Sequence, residues 1–269
     1  MDRGGRSDGH TSGQRQPPLY VTIQTILDKY PDGQIFKEII QNADNAGAST
    51  VHFYLDSRQH GSQLLIHPSL GQFQGPSLLS YNDAMFQEKD WQSIQDMQQS
   101  VKAGDPFKVG KFGIGFDSVY HITDLPTIVS GNRLAYLDPH EEIWPRQTRQ
   151  WYDINKNAHC SDTFAPFEGL CGFSVKNCRY NGTLFRFPLR NVSRAKRVSS
   201  HTYDINKLRN LLGALQEEAK CILLFLRSVH SVKVFEIEST GKHSKMLDIG
   251  ISEVSSLSQL SQNAFMFSS

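Results

Sequence analysis

The spacing of apolar residues changes period several times along the chain. Leu19 to Tyr30 carries Val21, Ile23, Ile26 and Leu27 at helical spacing. Asp32 to Ala46 repeats that period, with Asp32 placed as an N-cap and Gly47 as a C-terminal stop. Ser49 to Asp56 alternates, with Val51, Phe53 and Leu55 on one side, which predicts a strand. Leu78 to Ser80 is a short strand ending in Tyr81-Asn82-Asp83, and Asp90 to Val101 is an amphipathic helix carrying Trp91, Ile94, Met97 and Val101. Phe116 to Ile122 reads as helical. Thr127–Ser130, Arg133–Asp138, Thr183–Leu189 and Val232–Glu238 read as strands, and Asp204 to Glu218 is a helix with Leu208, Leu211, Leu212 and Leu215 in its stripe. Helices and strands mix without a regular βαβ beat. The pattern predicts an α+β fold, a mixed sheet with helices on one face.

The unpatterned stretches set the boundaries. Residues 1–16 are rich in Gly, Ser, Arg and Gln and read as a disordered tail. Residues 17–239 form the expected domain, interrupted by an irregular insertion over 139–170. Residues 240–269 are Ser-rich and read as a tail or the start of a following segment. The apolar run ILLFL over 222–226 is expected to be a buried helix end or strand. The basic run Arg190, Arg194, Lys196 and Arg197 is expected to be a solvated connector.

Charge and cysteine usage narrow the function classes. With 28 Lys+Arg against 27 Asp+Glu the net charge is +1, too little for general nucleic-acid binding, so no nucleic-acid partner is expected. No uncharged apolar run approaches membrane-spanning length, and the first residues lack the apolar core of a secretory signal. The four cysteines, at 160, 171, 178 and 221, are expected to be free thiols in a reducing compartment, and their spacing is not that of a zinc site.

Four short segments carry candidate chemistry. On the second helix, Glu38, Asn42 and Asn45 lie at i, i+4 and i+7, beside the apolar stripe of Ile35, Phe36, Ile39, Ile40 and Ala43. Such a row is either a solvated face or a base with a carboxamide oxygen for a hard cation such as Mg²⁺. In VGKFGIGFDSVY, Gly110, Gly113 and Gly115 allow backbone N–H groups to approach an anion, and a helical pattern follows at once. The segment is neither a Rossmann fingerprint nor a P-loop. Asn82-Asp83 and Asn181-Gly182-Thr183 are individually ordinary turn sequences.

In this order the four segments resemble the boxes of the GHKL ATPase superfamily, which includes gyrase B, the 90-kDa heat-shock chaperones, histidine kinases and MutL. LLSYNDAMF, DPFKVGKFGIGFDSVYHITDLPTIVSG, YLDPHE, FAPFEG and TLFRFPLR look like the sacsin-like branch. The resemblance runs from about Pro17 to Glu238. It implies a Bergerat-type two-layer α/β sandwich with a mostly antiparallel sheet, and a cytoplasmic, chaperone-type module binding ATP and Mg²⁺. Its partners would be chaperone machinery or client proteins. Glu38 matches the family's general base, Asn42 its Mg²⁺ ligand and Asp83 its adenine-reading carboxylate. Asn45 stands where relatives often carry Asp. Gly110, Gly113, Gly115 and Phe116 match the phosphate-facing loop, Lys111 and Lys108 flank it, and Thr183 matches the threonine near the adenine.

Two departures qualify the resemblance. After Asp83 the sequence reads Ala84-Met85-Phe86, without the family's two glycines, which narrows the expected base pocket. Chaperone relatives also complete the γ-phosphate site with a cation from a second domain, for which 269 residues leave no room, so little or no hydrolysis is expected. The alternative reading is an interaction module that keeps the fold without nucleotide. If Met85 or Phe86 occupies the base slot, that alternative gains.

Overall fold

The computed structural model describes residues 17–94, 115–177, 179–193 and 198–251. Helices α1 (Leu19–Leu27) and α2 (Ile35–Asn45) come first. Strands β1 (Thr50–Asp56) and β2 (Ser77–Asn82) follow, then helix α3, described over 88–94. A 3₁₀ turn, Phe116–His121, leads into β3 (Thr127–Gly131), β4 (Arg133–Leu137) and β5 (Arg149–Asp153). The chain continues through α4 (Ser161–Phe164), β6 (Tyr180–Pro188), α5 (Ile205–Leu224), β7 (Ser231–Ile237) and β8 (His243–Gly250).

The strands form one sheet in the order β5-β4-β3-β6-β2-β1-β7-β8. The β1–β7 pair is parallel and the others are antiparallel, giving the mixed, mostly antiparallel sheet expected of an α+β protein. The period-2 pattern of β1 sends Val51, Phe53 and Leu55 to the helix side, where Ile39 of α2, Phe187 of β6 and Leu208 of α5 meet them in one core. Asp32 does not cap α2. It accepts a hydrogen bond from the Tyr203 hydroxyl at 2.6 Å, and the helix starts from Gln34 with no side-chain cap. Gly47 follows the helix end in the left-handed region, at φ 80°, as its sequence position predicts.

The far face of the sheet is not bare. Tyr54, Leu79, Tyr136 and Leu184 project there and are covered by Trp144, Phe164, Phe167 and Leu170 of the insertion and by Phe173 just after it. This segment holds little regular structure yet supplies a second core, so the central strands are apolar on both faces. That explains why β2, with sequence SLLSYN, lacks polar alternation.

Three local expectations change. The ILLFL run is not buried throughout: Leu223 is 2% exposed, while Leu224 and Phe225 are 64% and 86% exposed, because only one face of α5 meets the sheet. Arg190 is not solvated but buried. Its guanidinium donates to Asp124 Oδ1 at 2.9 Å and to the carbonyls of Tyr120, His121 and Thr123 at 2.7–2.8 Å, closing the end of the 3₁₀ turn. Arg194, Lys196 and Arg197 lie outside the described residues. Beyond residue 239 the sheet continues, since β8 pairs with β7 from Ser231↔Gly250 to Ile237↔His243.

Candidate functional site

The site is built where the side of α2 faces the ends of β2 and β6 and the start of the 3₁₀ turn. The apolar stripe of α2 (Ile35, Phe36, Ile39, Ile40 and Ala43) is held in the core, which fixes the helix rotation and presents Glu38 and Asn42 at its margin. Glu38 is partly buried, and that burial raises its carboxyl above the ordinary 4.5. Gly115 lies directly against it: a β-carbon at residue 115 would overlap the Glu38 carboxylate. A side chain at 115 would require the Glu38 carboxylate to swing aside.

One turn along, the Asn42 side-chain nitrogen is buried and has no hydrogen-bond partner among the described residues. Asn42 borders two spaces. The inner one is a cavity of about 10 Å³ among Ile39, Ala43, Asn82, Phe86, Phe116 and Phe185. The outer one is a groove of about 300 Å³ along Asn45, Ala46, Gly47, Met85, Gln87 and Lys89. Asn45 is exposed at the rim of that groove and accepts a long contact from Gln41 at 3.5 Å.

The other sequence-predicted residues take different positions. Asp83 accepts hydrogen bonds at Oδ1 from the backbone N–H of Ser49 at 2.7 Å and of Thr50 at 3.1 Å, and at Oδ2 from the Ser49 hydroxyl at 2.5 Å. Its partial burial acts to raise the carboxyl, but the Ser49 hydroxyl and the two N–H groups outweigh it and hold the group below 3.8. The carboxylate thus ties the start of β1 to the end of β2. Thr183 is fully buried; its hydroxyl donates to the Ala84 carbonyl at 2.7 Å and touches Ser130 Oγ at 2.9 Å. Phe116 packs inward, with ring centroids 5.9 Å from Phe185 and 6.4 Å from Phe187. Gly110, Lys111, Gly113 and Lys108 lie outside the described residues.

Phe86, named from the sequence with Met85 as a possible occupant of the base slot, lies between α2 and the sheet. It is 8% exposed and meets Trp91 at 5.0 Å and Phe185 at 6.0 Å. Its backbone N–H donates to Ser130 Oγ at 2.9 Å, and the Ala84 N–H donates to Asn82 Oδ1 at 3.1 Å, so the whole 82–86 turn is fastened down. Ser49, Asn82 and Ser130 were not assigned these contacts from sequence. Asn82 had a signal, its place beside Asp83; Ser130, in mid-strand, had none. Asp117, two residues beyond Gly115, is also buried, and burial pushes its carboxyl up to about 7.

The two ends of the site therefore differ toward a magnesium–nucleotide. At the α2 corner, an amide donor without a partner among the described residues and the nearby Gly115 backbone suit a phosphate oxygen, and the Asn42 carbonyl oxygen is the atom that suits its cation. At the Asp83 end, where the carboxylate already accepts three hydrogen bonds, the 10 Å³ cavity is too small for a purine while Phe86 stays in place.

The Sacsin domain family matches residues 16–249. Human Sacsin is 40% identical over 262 residues, covering 94% of this chain and 6% of that protein, so the chain spans a small fraction of that relative's length. A solved structure described as the N-terminal domain of a DNA repair protein shares 12% identity, with a TM-score of 0.35, over 86% of this chain and 56% of that one. With the family match covering nearly all of the described fold, the chain belongs to the Sacsin domain family.

Proposed function

We propose that this chain is a nucleotide-responsive module of a chaperone-type, cytoplasmic sacsin-family protein, in which binding of Mg²⁺–ATP moves the 82–91 segment and turnover is slow. The observation that carries this reading is the convergence of the Glu38 carboxylate, the unpartnered Asn42 amide and the β-carbon-free approach of Gly115 at one corner of α2. A bound magnesium–nucleotide supplies a phosphoanhydride bond and a cation that offsets its charge. Asn42 would hold the cation and a phosphate oxygen, and the Gly115 backbone would face the phosphates. Glu38, with its raised carboxyl, is suited to orient a water and take its proton at a carboxylate oxygen. Base entry requires Phe86 to leave its contacts with Trp91 and Phe185, which couples binding to a change of shape.

A thermal-shift series tests the reading. A ligand held at a hundred times its Kd stabilises by about 2.7 kcal/mol, a rise of roughly 5–10 °C for a domain of this size. The expected result is such a rise with Mg²⁺–ATP, and none in Asn42→Ala. A second reading, an interaction module without nucleotide, is favoured by the filled base slot. It predicts no shift at millimolar nucleotide.

A further inference from the structure

The sheet face opposite α2 carries a second polar cluster that the nucleotide reading does not use. His52 and Tyr54 stand two residues apart on β1 and so point to the same side. Above them, in the insertion layer, Cys171 brings its Sγ to 3.3 Å from His52 Nδ1 and 3.0 Å from Tyr54 Oη, while Tyr54 Oη is 3.4 Å from His52 Nδ1. A thiol, an imidazole and a phenol therefore converge within hydrogen-bond reach of one another. Cys171 holds a left-handed backbone, φ 47° and ψ 38°, between Gly169 and Gly172. A residue bearing a β-carbon is disfavoured in that conformation, and here it aims the sulfur at the pair. The thiol is free and partly exposed, and the aromatic rings of Tyr81 and Phe235 lie 5.3 Å and 5.7 Å from the His52 ring.

We propose that Cys171, with His52 as proton acceptor and Tyr54 as hydrogen-bond donor, is a nucleophilic thiol site for small α,β-unsaturated carbonyl compounds. The sulfur lone pair forms a bond to the β-carbon of the alkene. The π pair moves toward the carbonyl, whose oxygen Tyr54 can hydrogen-bond. The thiol proton passes to His52 Nδ1 and then to the α-carbon, which completes the addition without oxidant or reductant. Burial keeps both partners neutral at rest. It raises the Cys171 thiol against the lowering effect of the Tyr54 hydrogen bond. The His52 ring is held below 6.5 by burial first and then by Lys233 of β7, against Asp248 of β8 and Asp83. Tyr54 stays protonated, its hydroxyl raised well above its usual range by burial and by Cys171. The thiol is thus activated during attack rather than beforehand, and its reactivity needs neutral His52.

Site-resolved mass spectrometry of N-ethylmaleimide labelling on the full chain tests this. Cys221, which is exposed, serves as the reference thiol, and buried Cys160 reports that the fold is intact. At pH 7 the expected labelling of Cys171 is at least tenfold faster than that of Cys221. Its rate should be nearly flat between pH 7 and 8.5, while the Cys221 rate climbs with pH. His52→Gln should remove at least tenfold of the Cys171 rate while Cys160 stays protected. Labelling of Cys171 no faster than Cys221, or a Cys171 rate that climbs with pH alongside it in the wild-type chain, overturns the proposal without reference to any variant. A fast rate untouched by a folded His52→Gln overturns the role of His52.

Discussion

At the scale of single residues, burial of acids and bases governs what the site can do. Asp117 is placed in the core by the 3₁₀ turn, and burial lifts its carboxyl from 3.8 to about 7. A raised carboxyl means that the folded chain holds the proton more tightly than the unfolded chain. The sign follows: stability falls as pH rises from about 4 toward 7 and levels off above that. Asp117→Asn is therefore expected to flatten this slope and to raise stability at pH 8, as read by urea unfolding at pH 5 and pH 8. A slope equal to that of the wild type would take Asp117 out of the account. Arg190 is the opposite case, a buried charge that is fully partnered. Arg190→Ala removes the guanidinium from Asp124 and from three carbonyls, and a loss of about 3–5 kcal/mol is expected in the same unfolding measurement. A loss under 1 kcal/mol would show the arginine to be incidental.

At the scale of elements, periodicity made some features legible and left others hidden. The stripe of α2 and the alternation of β1 follow from Ile35, Ile39, Ala43 and from Val51, Phe53, Leu55, because one buried face imposes one period. Glu38 beside Gly115 was anticipated by the resemblance as two separate boxes, and the fold brings them into contact. The insertion was invisible as a core element. Phe164 ends the one-turn helix α4, and Phe167, Leu170 and the following Phe173 lie in short turns with no sustained period, so pattern analysis reads them as loop. Arg190 was misread because a buried arginine and a solvated one look alike until its acceptors, 66 to 70 residues earlier, are known. If the insertion is a structural layer, Phe167→Ala, which empties a position 1% exposed, should cost roughly 3–5 kcal/mol. A change below 1 kcal/mol in chemical denaturation would return the segment to the status of a surface loop.

At the scale of the whole molecule, the sheet separates two chemistries. The helix side presents the Glu38–Asn42–Gly115 corner, with Phe86 packed beside it between α2 and the sheet. The far side presents the Cys171–His52–Tyr54 cluster beneath the insertion. The near-zero net charge supplies no long-range field for an anion, so any affinity for phosphate has to come from local geometry at α2 and its neighbours. In this account Phe86 opposes nucleotide entry, and its removal should favour binding. The most direct measurement is isothermal titration calorimetry of the wild-type chain, Phe86→Ala and Asn42→Ala with ATP, each with and without Mg²⁺. The account predicts Mg²⁺-dependent heat in the wild type, tighter binding by about tenfold in Phe86→Ala, and loss of binding in Asn42→Ala. Absence of heat at millimolar nucleotide in both the wild type and a folded Phe86→Ala would contradict it.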